Sequence, residues 1–183
     1  SNSTNLFGGE FIIDVIKEKP IDMKNFSLFA GTAWFFSNIK MDQSLDYLFI
    51  DEAGQVSLAN TISMATCAKN LVLIGDQMQL SQPFRGTHEG YAKLSSLDYI
   101  LEGRDTIPPE QGIFLRETRR LNNQICKYIS DSFYDSRLIP HKITESRSVN
   151  LGLKNIKDAG IFFIPTDHFG NSQRSDEEAE IVH

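Results

Sequence analysis

The sequence predicts an α/β fold with parallel strands, and three observations support this prediction. Short apolar runs recur along the 183-residue chain and alternate with segments in which apolar residues have helical spacing. The runs are continuous rather than alternating in polarity, which is typical of strands buried on both faces of a parallel sheet. Three runs end in polar or small residues, as strands do at the edge where open α/β sheets bind ligands. Together these patterns favour the α/β class.

The predicted elements can be placed along the chain. Five apolar runs are candidate strands, namely Phe26–Ala30, Tyr47–Ile50, Leu71–Ile74, Ile113–Leu115 and Ile161–Ile164. Helical spacing predicts five helices, namely Glu10–Lys19, Leu58–Cys67, Ser95–Leu101, Leu121–Tyr134 and Asp176–Val182. The fourth helix has the clearest amphipathic pattern. Its apolar stripe consists of Leu121, Ile125, Tyr128, Ile129 and Phe133. Tyr134, like Phe133, is expected to pack this helix.

The segment Gly103–Gly112 is the predicted boundary between two domains. It contains two prolines and two glycines, which interrupt any periodic pattern. We therefore predict a first domain over residues 1–105, a junction over residues 106–112 and a second domain over residues 113–183.

Composition and charge narrow the classes of function. The two cysteines, Cys67 and Cys126, occur in no metal-binding motif, so neither a disulfide framework nor a zinc site is expected. No apolar run reaches the roughly 18 residues that a membrane-spanning helix needs, so we expect a cytoplasmic protein without a membrane partner. The net charge of −6 argues against nucleic-acid binding through bulk charge. A local excess of basic residues around Arg116, Arg119 and Arg120 argues in favour of nucleic-acid binding.

An acidic pair follows the apolar run Tyr47–Ile50. Asp51 and Glu52 are adjacent there, and two carboxylates at one strand end suit a magnesium-nucleotide site. The first carboxylate can hold the metal, and the second can orient or deprotonate an attacking water. The alternative is that Asp51 caps the following helix while Glu52 is solvated.

A second polar segment follows the run Leu71–Ile74. Gly75 allows a tight turn, Asp76 adds a carboxylate, and Gln79 can hydrogen-bond a phosphate oxygen. A plain strand followed by a polar turn would explain Gly75 and Asp76 but gives no reason for Gln79. The two segments together therefore indicate a nucleotide site at the carboxyl edge of the sheet.

Several motifs, in their order along the chain, resemble those of superfamily 1 helicases. The stretches DEAGQ (Asp51–Gln55), GDQMQL (Gly75–Leu80) and TRRLN (Thr118–Asn122) resemble motifs II, III and IV. AGTAWFFS (Ala30–Ser37) resembles the nucleic-acid-contacting motif between motifs I and II, and SDEEAEIV (Ser175–Val182) resembles the acidic helix after motif IV. The branch resembled holds the nonsense-mediated-decay RNA helicase and the nuclease-helicases of DNA replication and repair. The resemblance implies parts of two RecA-like P-loop NTPase domains with parallel sheets.

The resemblance implies roles for the residues of motifs II and III. Asp51 would bind magnesium, and Glu52 would activate the hydrolytic water. Gln79 would sense the γ-phosphate. Gln55 would belong to the hydrogen-bond network between the two motifs, and Asp76 would be a further residue of the nucleotide site.

The resemblance also implies roles for two neighbouring arginines. Arg120 would act as an arginine finger, and a planar, permanently charged fork suits charge that develops on a transferring phosphoryl group. The alternative for Arg120 is a surface ion pair. Arg119 stands where the family often has a tyrosine that stacks on adenine, and a guanidinium can also stack on a ring.

Thr32 and Trp34 are the implied nucleic-acid residues of the Ala30–Ser37 stretch. The indole of Trp34 can stack on bases. The alternative is that the aromatic run of Trp34, Phe35 and Phe36 packs in the core.

Three expected motifs are missing from the sequence. The phosphate-loop patterns GxxxxGKS and GxxxxGKT do not occur, and motifs V and VI are not found after motif IV. We therefore interpret the chain as the middle portion of an ATP-dependent helicase or translocase, inactive on its own. The parent would use ATP and Mg²⁺ and act on single-stranded DNA, with RNA as the second choice, and the branch is compatible with a fused nuclease domain. The alternative is a non-catalytic nucleic-acid-binding or assembly module with a RecA-like fold, which the missing loop and the acidic charge favour.

Overall fold

The structure is a computed structural model that describes residues 26–80, 89–148 and 159–182. Helices and strands are interspersed along these residues, and the strands form two small parallel sheets within the described ranges. This arrangement confirms the predicted α/β class. A helix long and apolar enough to cross a membrane is not found in these three ranges.

The chain divides into two compact units. The first contains the described residues of Ser1–Phe49 together with Ala59–Val72, and the second contains those of Ile50–Leu58 together with Leu73–His183. The buried apolar side chains of the first unit include Phe36, Met41, Leu48, Met64 and Cys67, and those of the second include Ile50, Ala53, Leu97, Leu101 and Cys126. The two units are groups of residues that contact one another, and they do not test the domain division predicted at residues 106–112. That division stays a prediction.

Strands β1 (Leu45–Ile50) and β2 (Ala68–Leu73) form the first sheet. The N–H of Leu45 donates to the carbonyl of Cys67 at 3.0 Å, and the N–H of Ile74 donates to the carbonyl of Ile50 at 2.9 Å. Because both partners advance in the same direction, the two strands run parallel. The strands predicted over Tyr47–Ile50 and Leu71–Ile74 are therefore confirmed, although both begin earlier than predicted.

Burial on both faces of this sheet was predicted, and for β1 that prediction is wrong. Leu48 and Ile50 are 4% and 6% exposed, whereas Tyr47 and Phe49 are 58% and 62% exposed. Side chains alternate between the two faces of a strand. The described residues therefore cover one face of β1 and leave the other open.

The other three predicted strands are not strands in the structure. Phe26–Ala30, Ile113–Leu115 and Ile161–Ile164 have no regular secondary structure. An extended run becomes a strand only where a neighbouring strand takes up its backbone hydrogen bonds. Among the described residues no such neighbour pairs with these runs, and the apolar pattern alone carries no information about that pairing.

Two short strands that were not predicted form the second sheet. Strand β3 (Glu117–Thr118) pairs in parallel with β4 (Ile139–Pro140), so that Glu117 lies opposite Ile139. Each strand has two residues, one strand is polar and the other contains proline, so neither has a hydrophobic run for the sequence to reveal.

The helices are α1 (Ala33–Phe36), α2 (Leu58–Ala65), α3 (Ser96–Leu101), α4 (Asn123–Phe133) and α5 (Asp176–Val182). Helices α2 to α5 confirm four of the predicted helices, while the short α1 was not predicted. The predicted helix over Glu10–Lys19 lies outside the described residues. Helix α3 begins at a capping box, in which Ser95 and Asp98 each accept a backbone N–H from the other.

The buried face of α4 differs from its predicted apolar stripe. Cys126 and Ser130 are 0% and 3% exposed, whereas Tyr128 of the stripe is 57% exposed. These two small side chains let the segment before β4 approach closely: the N–H of Leu138 donates to Ser130 Oγ at 2.9 Å, and Cys126 Sγ lies 3.7 Å from the Leu138 carbonyl. Burial raises the pKa of the Cys126 thiol. Hydrophobic periodicity alone did not reveal this close-packed face of small side chains.

Candidate functional site

The two polar segments that follow β1 and β2 lie backbone against backbone. We call Asp51–Gln55 the acidic turn and Gly75–Leu80 the glutamine loop. The N–H of Ala53 donates to the carbonyl of Ile74 at 2.8 Å. A Cβ on Gly75 would lie 2.7 Å from the nitrogen of Ala53. The structure therefore brings the two segments together, as expected for the carboxyl ends of adjacent parallel strands.

Both carboxylates of the acidic turn are exposed to solvent. Asp51 Oδ1 accepts the N–H of Glu52 at 3.0 Å. Helix α2 begins only at Leu58, so the alternative in which Asp51 caps that helix is wrong. Glu52 has a φ of 53°, in the left-handed region that non-glycine residues rarely adopt. Strained backbone conformations of this kind cluster at functional sites.

The acidic turn suits a metal held mainly by water and phosphate. Within the described ranges, no group of three or more His, Cys, Asp or Glu residues is arranged to enclose a metal ion. Magnesium is usually bound by one or two carboxylates while water and substrate phosphates complete its octahedron. Asp51 has one oxygen engaged by a backbone N–H and is exposed, so it fits that mode of binding.

Asp76 has three hydrogen-bond donors within the described residues. Its Oδ1 accepts the N–H of Met78 at 3.0 Å, and its Oδ2 accepts Gln79 Nε2 at 3.1 Å and the Tyr134 hydroxyl at 2.7 Å. The carboxylate therefore organises the glutamine loop. Direct contact between Asp76 and a nucleotide stays a prediction.

Tyr134 is a site residue that sequence reasoning missed. It was expected to pack helix α4, but its hydroxyl donates to a carboxylate 58 residues earlier in the chain. Burial and the hydrogen bond to Asp76 raise the pKa of the Tyr134 hydroxyl. A lone tyrosine at a helix end carries no sequence signal for such a partner.

Gln55 and Gln79 line the same cleft. The cleft has a volume of about 830 Å³ and is open to solvent. Its lining residues are Gln55, Gln77, Met78, Gln79, Leu80 and Asp98. The structure thus brings together the two glutamines for which the resemblance implies roles in the nucleotide site.

Arg119 and Arg120 lie in the exposed turn between β3 and α4. Thr118 Oγ1 accepts the N–H of Arg120 at 3.2 Å, and Arg147 Nη1 donates to the Arg120 carbonyl at 2.8 Å. Neither guanidinium forms an ion pair with another residue of the described ranges. The described residues therefore do not support the alternative in which Arg120 forms a surface ion pair. No hydrogen bond between described residues joins either guanidinium to the acidic turn or the glutamine loop.

Thr32 and Trp34 lie in the first compact unit, at the start of α1. The Thr32 carbonyl accepts the N–H of Phe35 at 3.0 Å, which starts the helical turn. Trp34 is 88% exposed, whereas Phe36 is 8% exposed and belongs to the core. The alternative in which the whole aromatic run packs in the core is therefore wrong for Trp34.

The chain is similar to a known DNA helicase. It is 28% identical over 144 residues to the DNA polymerase alpha-associated DNA helicase A of Schizosaccharomyces pombe, and the match covers 76% of this chain. The chain spans 20% of that relative's length. No family model matches the chain, and no solved structure matches it. This similarity suggests a helicase-related function.

Proposed function

We propose that this chain is the middle portion of a superfamily 1 helicase or translocase, in which ATP hydrolysis drives movement on single-stranded nucleic acid. The observation that carries the proposal is the backbone contact between the acidic turn and the glutamine loop. This contact brings Asp51 and Glu52 next to the loop that bears Gln79. The similarity to a protein named as a DNA helicase favours DNA over RNA as the track.

The chemistry of the acidic turn suits ATP hydrolysis. Asp51 would hold Mg²⁺, which when bound offsets charge on the nucleotide phosphates. Glu52 is exposed, and its carboxylate has no hydrogen-bond donor among the described residues. It is therefore able to accept a proton from a water molecule. Gln79 uses one amide N–H for Asp76 and keeps a second N–H and a carbonyl oxygen for other partners.

The arginines and the exposed tryptophan complete the proposal. Arg120 would stabilise the charge that develops on the transferring phosphoryl group, and Arg119 would stack on the base. Trp34 would stack on a base of the nucleic acid, and Thr32 would contact the same strand. The exposure of Trp34 supports this role, because a stacking surface must be accessible.

The test is the ATPase activity of the full-length parent. The wild-type parent should hydrolyse ATP faster when single-stranded DNA is present. Glu52→Gln keeps the shape of the side chain but removes the base, so turnover should fall by roughly 10² to 10⁴ while nucleotide still binds. Glu102→Gln is the matched control, because Glu102 is also exposed and also has a positive φ, of 51°.

Two outcomes would contradict the proposal. A wild-type parent without ATPase activity would favour the non-catalytic binding or assembly module. An ATPase rate of Glu52→Gln within a few-fold of the control would remove Glu52 from the mechanism.

A further inference from the structure

The Asp76 carboxylate joins the end of α4 to the glutamine loop. Its Oδ2 receives the Tyr134 hydroxyl at 2.7 Å and the Gln79 amide at 3.1 Å, and its Oδ1 receives the N–H of Met78 at 3.0 Å. A hydroxyl-to-carboxylate bond of 2.7 Å is in the range of charge-assisted hydrogen bonds, which are stronger than neutral ones. Tyr134 is therefore the closest partner that Asp76 has among the described residues.

Tyr134 is held in position by contacts that do not involve the glutamine loop. Its N–H donates to the carbonyl of Ser130 at 3.0 Å, which closes the last turn of α4. Its ring lies 6.2 Å from the ring of Phe114, measured between centroids. The guanidinium of Arg137 lies 4.6 Å above the same Phe114 ring.

A buried hydroxyl anchors these contacts to the chain after α3. Thr106 is 7% exposed, and its hydroxyl donates to Asp135 Oδ2 at 2.6 Å. Arg137 Nη1 donates to Thr106 Oγ1 at 2.7 Å and to the carbonyl of Ile107 at 2.9 Å. The segment that carries Tyr134 is thus held in place by hydrogen bonds that do not involve Asp76.

This arrangement constrains the side chain of Gln79. An ionised carboxylate only accepts hydrogen bonds, so Gln79 must turn its NH₂ group toward Asp76. The second N–H and the carbonyl oxygen are left for other partners, and Gln79 lines the open cleft. Without the Tyr134 hydroxyl, Asp76 would lose its shortest hydrogen bond and gain rotational freedom, and Gln79 would share that freedom.

We propose that Tyr134 is a positioning residue for ATP turnover. Its hydroxyl fixes the Asp76 carboxylate, and Asp76 holds the Gln79 amide where it meets the terminal phosphate. This inference rests on the proposed ATPase function, and it adds a residue that lies far from Gln79 in the sequence.

The first part of the test compares two tyrosines of the same helical segment in the full-length parent. Tyr134→Phe removes the hydroxyl and keeps the ring, while Tyr128→Phe removes a hydroxyl from a side chain that is 57% exposed. With saturating single-stranded DNA, Tyr134→Phe should lower kcat about tenfold and change the KM for ATP less than twofold, the pattern of a lost transition-state interaction. Tyr128→Phe should leave both constants unchanged.

The second part repeats Tyr134→Phe in a Gln79→Ala background. If Tyr134 acts through Gln79, the second substitution should not lower kcat further, because residues in one network are not additive. An equal loss of kcat in both backgrounds would overturn the proposal, as would a Tyr134→Phe variant that matches Tyr128→Phe. If Tyr134→Phe does not fold, Asp76→Asn replaces it, and wild-type kcat in that variant would also overturn the proposal. A wild-type parent without DNA-stimulated ATPase would instead refute the proposed function itself.

Discussion

Gly54 lies directly against the backbone of Asp76. A Cβ on Gly54 would be 2.3 Å from the carbonyl oxygen of Asp76, a distance that real Cβ atoms do not show. The neighbour is backbone rather than the end of a flexible side chain, so it has little room to move. The absence of a side chain at Gly54 is therefore a condition for the contact between the acidic turn and the glutamine loop.

Gly54→Ala should destabilise the protein markedly. The added methyl group must displace backbone in a packed region, so we expect a loss of about 3 kcal/mol in the free energy of unfolding. Gly90→Ala is the control: a Cβ there meets no atom within 4 Å, and its φ of 60° should cost about 1 kcal/mol. Denaturant titration measures both variants. Equal losses would show that the close contact does not constrain Gly54.

Glu52→Gly should raise stability while it lowers turnover by roughly 10² to 10⁴, as expected for loss of the base. The φ of 53° strains a residue with a Cβ, so glycine should add about 0.5–1 kcal/mol after its entropic cost in the unfolded chain. Glu102→Gly, at a φ of 51°, should give a similar gain with no change in ATPase rate. Thermal unfolding and steady-state ATPase assays measure the two effects. A Glu52→Gly variant that is less stable than wild type would contradict the idea of strain at this position.

Arg120→Ala and Arg119→Ala should have different kinetic effects in the full-length parent. Arg120→Ala should lower ATP turnover on the order of 10³-fold or more, the scale of arginine fingers. Arg119→Ala should mainly raise the KM for ATP, because stacking on the base contributes similarly to ground and transition states. Steady-state kinetics with saturating single-stranded DNA separate the two. The opposite pattern would show that the assignment is shifted by one residue.

Trp34→Ala should weaken DNA binding without destabilising the fold. The side chain is 88% exposed, so its loss removes little buried area. Stacking on one base contributes about 1–3 kcal/mol, so the dissociation constant for single-stranded DNA should rise at least fivefold in a fluorescence-anisotropy titration. Tyr47→Ala is the control, since Tyr47 is 58% exposed and lies outside the motif. An unchanged affinity for Trp34→Ala would remove this residue from the DNA contact.

Stability should fall at alkaline pH through Tyr134. Burial and the hydrogen bond to Asp76 raise the pKa of its hydroxyl in the folded protein. Above about pH 10 the unfolded chain releases the phenol proton while the folded protein keeps it, so the free energy of unfolding decreases from there upward. In Tyr134→Phe this part of the decrease should disappear, and in Tyr128→Phe it should remain. Thermal unfolding measured from pH 8 to pH 11 tests this. Identical pH dependence in wild type and Tyr134→Phe would contradict it.

Local sequence patterns were sufficient to predict four helices and to single out the two polar segments that follow β1 and β2, while the roles of the residues in those segments stay predictions. Helix α5 matches its predicted bounds, Asp176–Val182. Helix α3 begins one residue later than predicted, because Ser95 is its N-cap rather than its first residue. Periodicity and capping depend on neighbours within a few positions, so a single sequence contains them. Asp51 and Glu52 directly follow one apolar run, and Gly75 and Gln79 follow another. These residues could therefore also be singled out from their neighbours in the sequence.

The remaining features depend on residues that are distant in the sequence. Two of five apolar runs became strands, because a strand exists only where another segment takes up its backbone hydrogen bonds. The buried face of α4 consists of Cys126 and Ser130, since the segment before β4 packs there. The hydrogen bond between Tyr134 and Asp76 joins residues 58 positions apart. Such pairings are selected by packing across the whole fold, and no pattern of neighbouring residues encodes them.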